Sequence, residues 1–238
     1  MASIALALPI GYGAIRKARE EYPVAKACYT KYKIGRETRE LEKARLAREL
    51  IDIYLATDSR VIAKYIAESI RDSKSDPFVQ SHFYGILRSR ESDGIDARFD
   101  KLRIALEMGS SIDVGHTLIA IKDCSSLNDR PTEDIELLER AYRDSQSKMR
   151  VSVPGFDKRG IEYHAARAAV LSVDLLGRAE EAEGLLRYVF GEKAFCAEKE
   201  ENPEDSASQI FDSLFNRVQA KDTSVEVLEF ISKNSKQP

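Results

Sequence analysis

The chain has 238 residues, 43% of them hydrophobic and 32% charged, a composition that excludes a disordered tail and a membrane span and allows a sizeable core. Its formal net charge of −3 excludes a global drive toward nucleic acid or an anionic membrane. The charge is uneven, since residues 1–50 hold 11 Lys and Arg against 6 Asp and Glu, while the remainder holds 26 against 34.

The start, MASIALALPIGYG, is apolar, but no Lys or Arg precedes the apolar run. It is also shorter than the roughly 20 residues a span requires. It reads as neither signal peptide nor anchor, and is expected to fill the chain's own groove or to dock into a second copy. Cys28, Cys124 and Cys196 lie far apart with no CxxC pair, which fits a reducing compartment and a cytoplasmic location.

IGYGAIRKARE, 10–20, carries two of the three glycines of a dinucleotide fingerprint, with Arg16 where the third belongs. No strand–helix–strand alternation follows it, so a turn before a helix is the expectation. Residues 16–39 interleave Tyr22, Tyr29 and Tyr32 with a run of cations. Basic groups neutralise phosphates and tyrosines stack on bases, so Arg16, Lys17, Arg19, Lys26, Lys31 and Lys33 are the candidate nucleic-acid contacts. The competing reading is a charged helix capping the end of the fold, with the tyrosines as packing. Residues 1–36 are accordingly set apart as a basic extension or cap, and residues 37–238 as a helical-repeat domain.

Strand signals are nearly absent after that, and only Val151-Ser152-Val153 hints at alternation. Helical spacing recurs instead. Leu41, Ala44, Ala47, Ile51 and Tyr54 form one stripe, and Val61, Ile62, Tyr65, Ile66, Ser69 and Ile70 form another. Asp76-Pro77 and Pro131-Thr132 are helix starts. Gly109 reads as a helix stop, and Thr223 with Glu226 as a capping box. The expected antiparallel pairs are 38–56 with 58–72, 77–90 with 95–108, 112–127 with 132–148, 160–176 with 179–190, and 206–220 with 223–233. Between them, 150–160 reads as a long link and 197–206 as an acidic linker. A helix pair recurring every 35–45 residues or so is the mark of a solenoid, in which one hairpin covers its apolar face on the next.

Residues 163–190, YHAARAAVLSVDLLGRAEEAEGLLRYVF, resemble the helical hairpin of the tetratricopeptide repeat family. Ala166, Ala169, Val170 and Val173 make a small-residue inner stripe on the first helix. Gly177 makes the turn, Glu180 and Glu181 favour the positive end of the second helix, and Ala182, Leu186 and Val189 face back. Thr117–Asp144 matches more loosely through Leu118, Ile121, Leu138 and Ala141. The resemblance implies an all-α, right-handed antiparallel helix-hairpin array of about ten to twelve helices. Another right-handed helical array and a compact all-α bundle are the alternatives.

The family holds extended peptides in a concave groove lined by its first helices. On that likeness His116, His164 and Arg167 are donors toward a partner, and Gln80, Phe83 and Arg90 extend the groove in the preceding hairpin. The family's carboxylate-clamp set of Lys, Asn and Arg does not stand at matching positions. The histidines have no third ligand at metal spacing. The serines have no Gly-x-Ser-x-Gly setting. The expectation is a cytoplasmic, non-catalytic scaffold without cofactor or metal that binds a peptide or protein partner. An RNA- or ribosome-associated adaptor using the basic segment is the first alternative, and a small enzyme with a pocket between helices is the second.

Overall fold

A computed structural model describes residues 7–73, 94–124, 130–149 and 161–217, with side chains from residue 21 in the first stretch and from 163 in the last. All regular structure among these residues is α-helical, in ten segments, so the protein is all-α. The expected helices at 77–90 and 223–233, their start signals and the 150–160 link lie outside the described residues. The chain divides into two compact units, Met1–Asp113 and Val114–Pro238.

The first unit begins with α1 (Ala7–Arg36), α2 (Glu40–Thr57), α3 (Arg60–Asp72) and α4 (Ile95–Met108). Gly11 and Gly13, expected in a turn, lie inside α1. Two glycines lower helix propensity without forbidding the helix. Pro23 also sits inside α1 and gives up one backbone donor.

The α1–α2 turn is three residues long. In it the Glu37 carboxylate accepts the amides of Thr38 and Arg39, each at 3.0 Å, and the Arg39 guanidinium. The guanidinium bond, with the Arg39 amide next, brings the Glu37 carboxyl down to about 2. At the other end of α2, Asp58 takes a left-handed conformation (φ 48°) and returns its amide to the Tyr54 carbonyl at 2.8 Å.

Helix α1 packs on both α2 and α3, and α3 on α4. Ala27 and Ile34 of α1 meet Leu46, Ala47, Leu50 and Ile53 of α2 and Ile62, Ala63, Ile66 and Ile70 of α3, and Ile104 of α4 joins the same core. Each fully buried Ile or Leu side chain there contributes about 1.5–3 kcal/mol. The stripe on α3 is narrower than its spacing suggests, because Val61 is exposed while Ile62, Ile66 and Ile70 are buried. Leu41 of the α2 stripe is likewise exposed.

Polar contacts fix the directions. Cys28 lies against Tyr65, and Lys31 pairs with Glu68, so α1 and α3 run parallel. Arg60 at the start of α3 reaches Asp96 in the first turn of α4 at 3.1 Å, so α3 and α4 run in the same sense.

Helix α5 (Ser111–Lys122) contains the boundary between the units. It ends five residues short of the expected 112–127. Ser110 caps it, accepting the Asp113 amide at 3.3 Å. The second unit continues with α6 (Thr132–Met149), α7 (Ile161–Leu175), α8 (Ala179–Phe190), α9 (Glu192–Glu201) and a helix at 207–217.

Helix α7 ends in a Schellman motif: the Arg178 amide bonds the Val173 carbonyl at 3.1 Å, the Gly177 amide bonds that of Asp174 at 3.0 Å, and Gly177 has φ 72°. Ala165, Ala166, Ala168, Ala169, Val170, Ser172 and Val173 of α7 are all fully buried, so this helix is covered over most of its circumference, with His164, Arg167 and Asp174 partly exposed on the remaining face.

Side-chain contacts between helices two apart in this unit run in the same sense. Glu139 meets Arg178 and Tyr142 meets Glu181, which aligns α6 with α8. Lys122 bonds Asp174 and the charge of His116 reaches His164, so α5 and α7 run in the same sense. The 207–217 helix is three along from α7. Its Ser208, Asp212 and Phe215 meet Asp174, Arg167 and Tyr163 in turn, so it runs antiparallel to α7.

The expected acidic linker at 197–206 is a second departure, for α9 runs through Glu201. Two buried groups hold it. Phe195 enters the core of the unit. The Glu198 carboxylate accepts Asn202 Nδ2 at 2.8 Å and Ser213 Oγ at 2.7 Å, and lies 3.1 Å from Arg217 Nη2.

Candidate partner-binding surfaces

Three of the expected groove residues are described. His116 is exposed on α5, and His164 is partly buried on α7 with the Tyr163 ring edge-on at 5.0 Å. His116 is near enough for its charge to act on His164. Burial, then the charge of His116 and that of Arg167, hold His164 below its ordinary pKa and favour its neutral form.

Arg167 is not a free donor. Its Nε and Nη2 bond the two carboxylate oxygens of Asp212 at 3.0 and 2.9 Å, a parallel fork that a partner would have to displace. Gln80, Phe83 and Arg90 lie outside the described residues.

A polar node that sequence spacing did not signal sits about two turns further along α7. Lys122 Nζ bonds Asp174 Oδ2 at 3.0 Å and Ser206 Oγ at 2.8 Å, and also Ser208 Oγ. Ser208 Oγ donates to the same Asp174 oxygen at 3.0 Å. Ser206 caps the 207–217 helix, with Gln209 Oε1 accepting its amide at 2.9 Å.

A serine beside a lysine is a nucleophile–base pairing when the lysine is desolvated and free of acids. Here the ammonium is spent on a carboxylate, and the node ties α5, α7 and the last described helix together. A cleft of about 560 Å³ lies elsewhere in this unit, walled by Phe190, Lys193, Ala197, Leu214 and Arg217. Arg217 is paired with Glu198 and Glu201.

In the first unit, Tyr22, Tyr29 and Tyr32 stand out from α1 with 68%, 59% and 52% of their surfaces exposed. They are not core packing. Lys33 Nζ sits 4.4 Å from the centre of the Tyr29 ring, and Arg36 Cζ 4.6 Å from that of Tyr32.

Of the six expected phosphate contacts, Lys26 is paired with Glu49 at 3.3 Å and Lys31 with Glu68. Those two are held by the fold's own acids. Lys33 remains, while the side chains of Arg16, Lys17 and Arg19 lie outside the described residues. Tyr22, Pro23 and Lys26 also form one wall of a shallow cleft of about 370 Å³ against α2.

Among the described residues, no group of three or more His, Cys, Asp and Glu is arranged to hold a metal ion, and no helix is long and apolar enough to cross a membrane. No protein-family model, curated protein or solved structure matches the chain.

Proposed function

We propose that the protein is a non-catalytic helical-repeat scaffold, cytoplasmic and without a cofactor, that holds an extended segment of a protein partner along α5 and α7. The observation that supports this reading is the nearness of His116 on α5 to His164 on α7, with Lys122 and Asp174 joining the same two helices further along. Rigid parallel helices repeat their donors at fixed intervals, as an extended peptide backbone requires. The 161–190 hairpin supports the same reading. Its buried alanines let α7 and α8 approach closely, and Gly177 supplies the tight return.

The test is affinity capture by the intact chain and by a His116→Ala/His164→Ala variant, quantified by mass spectrometry. The reading expects a set of partners whose recovery falls several-fold in the variant. An unchanged set would remove the α5–α7 face from the account.

A further inference from the structure

We infer that the exposed face of α1 is a docking surface for single-stranded nucleic acid, read by stacking on Tyr22, Tyr29 and Tyr32 and by phosphate contact with Lys33 and Arg36.

The cations of α1 are not all equally available. Four cations stand on α1 between residues 21 and 36, namely Lys26, Lys31, Lys33 and Arg36. The first two are neutralised by Glu49 and Glu68. Among the described residues no carboxylate pairs with Lys33 or Arg36. Each sits instead on an exposed tyrosine one helical turn before it.

The geometry places all five groups together. At 100° per residue, positions 22, 29, 32, 33 and 36 fall within an arc of about 100° on one side of the helix. At 1.5 Å per residue they extend for roughly 21 Å along it. The tyrosines are more than half exposed, although burial of a ring is worth kilocalories to a fold. A cation over one face of a ring fixes the ring's orientation and leaves the other face for a planar partner.

Polyanionic ligands match the unpaired cations, and among them only one with free aromatic faces uses the rings. An acidic peptide would meet Lys33 and Arg36 but gain little from three tyrosines. A duplex hides its base faces in its own stack. A single strand supplies both phosphates and bases. The uneven charge of the chain points the same way, since the net of +5 over residues 1–50 stands against −8 in the remainder.

The test uses the full chain and fluorescence anisotropy with a labelled twelve-nucleotide oligouridylate, from low to physiological salt. Binding is expected, weakening as salt rises. Lys33→Gln/Arg36→Gln should flatten the salt slope by about 1.4, two phosphates at roughly 0.7 each. Tyr29→Ala/Tyr32→Ala should weaken binding by about tenfold or more, and Tyr29→Phe/Tyr32→Phe should restore it. Circular dichroism checks that these surface variants stay helical.

The inference is overturned by any of four results. These are no binding at low salt, no effect of removing the rings, equal affinity for a duplex of the same length, or displacement by oligoglutamate as effective as by unlabelled strand. Capture of a protein by the α5–α7 face is a separate measurement and survives any of them.

Discussion

Tyr142 on α6 donates its phenolic proton to Glu181 Oε1 on α8 at 2.6 Å, while Gln146 Nε2 donates back to the phenol at 3.0 Å. These residues are 39 positions apart, and the bond crosses between two helices that run the same way. It ties α6 to the first turn of α8. Tyr142→Phe keeps the ring and removes the proton. The expected loss is about 1–2 kcal/mol, because the acceptor is charged but partly solvated. A fall in the urea midpoint at unchanged slope would register it.

Two glycines in one hairpin should respond to alanine with opposite signs. Gly177 has φ 72°, and an added Cβ there meets no atom within 4 Å, so the cost of Gly177→Ala is conformational alone, about 1–2 kcal/mol. Gly184 is an exposed residue inside α8 with equally open surroundings. Gly184→Ala should stabilise by about 0.5–1 kcal/mol. Thermal melts of the two variants side by side check both signs.

His164 should make stability fall in mild acid. Its native pKa lies below the ordinary value of 6.5 because of burial and then the charges of His116 and Arg167. Below that value the unfolded chain takes up a proton that the native state resists. Stability contributed by the neutral imidazole is therefore complete above about 6.5 and declines as pH falls through the native value. Tyr163, which packs edge-on, and Asp212, which holds Arg167, are the other groups nearby. Denaturant titrations of the parent chain and of His164→Gln, at several pH values from neutral to mildly acidic, should diverge toward acid, with the variant flatter.

Releasing Arg167 should strengthen capture of an acidic partner. The guanidinium is forked onto Asp212, whose side chain is 46% exposed. Asp212→Ala leaves the donors facing outward at a stability cost of roughly 1 kcal/mol for a half-exposed pair. If the α5–α7 face takes carboxylates, recovery of partners rises in Asp212→Ala and falls in Asp212→Ala/Arg167→Ala. Equal recovery in all three would place binding elsewhere.

Local chemistry was legible in the sequence and distant pairing was not. The 161–190 hairpin could be read because its stop is written in place: Gly177 supplies the left-handed residue and the following acids start the next helix. The Tyr and Lys/Arg interleaving of α1 was equally visible. Which cations were already spent was not, because Glu49 and Glu68 lie 23 and 37 residues beyond the lysines they neutralise. Arg167 looked like a free donor for the same reason, its acid being 45 residues away.

The acidic 197–206 stretch misled because charge density argues for solvent. One phenylalanine and one carboxylate with buried partners outweigh it, and the Ser213 that satisfies Glu198 is 15 residues later. The turn read at Gly11 and Gly13 failed because propensity is a weak prior within a helix of 30 residues.

The enclosure of α7 sets a schedule as well as a structure. Its walls come from chain on both sides of it, α5 and α6 before and α8 and the 207–217 helix after. During synthesis this alanine-rich rod emerges with half its walls still unmade, and the unit closes only when residue 217 or so has left the ribosome. A stop placed anywhere in α8 or α9 would leave its buried face without the cover that the later chain supplies.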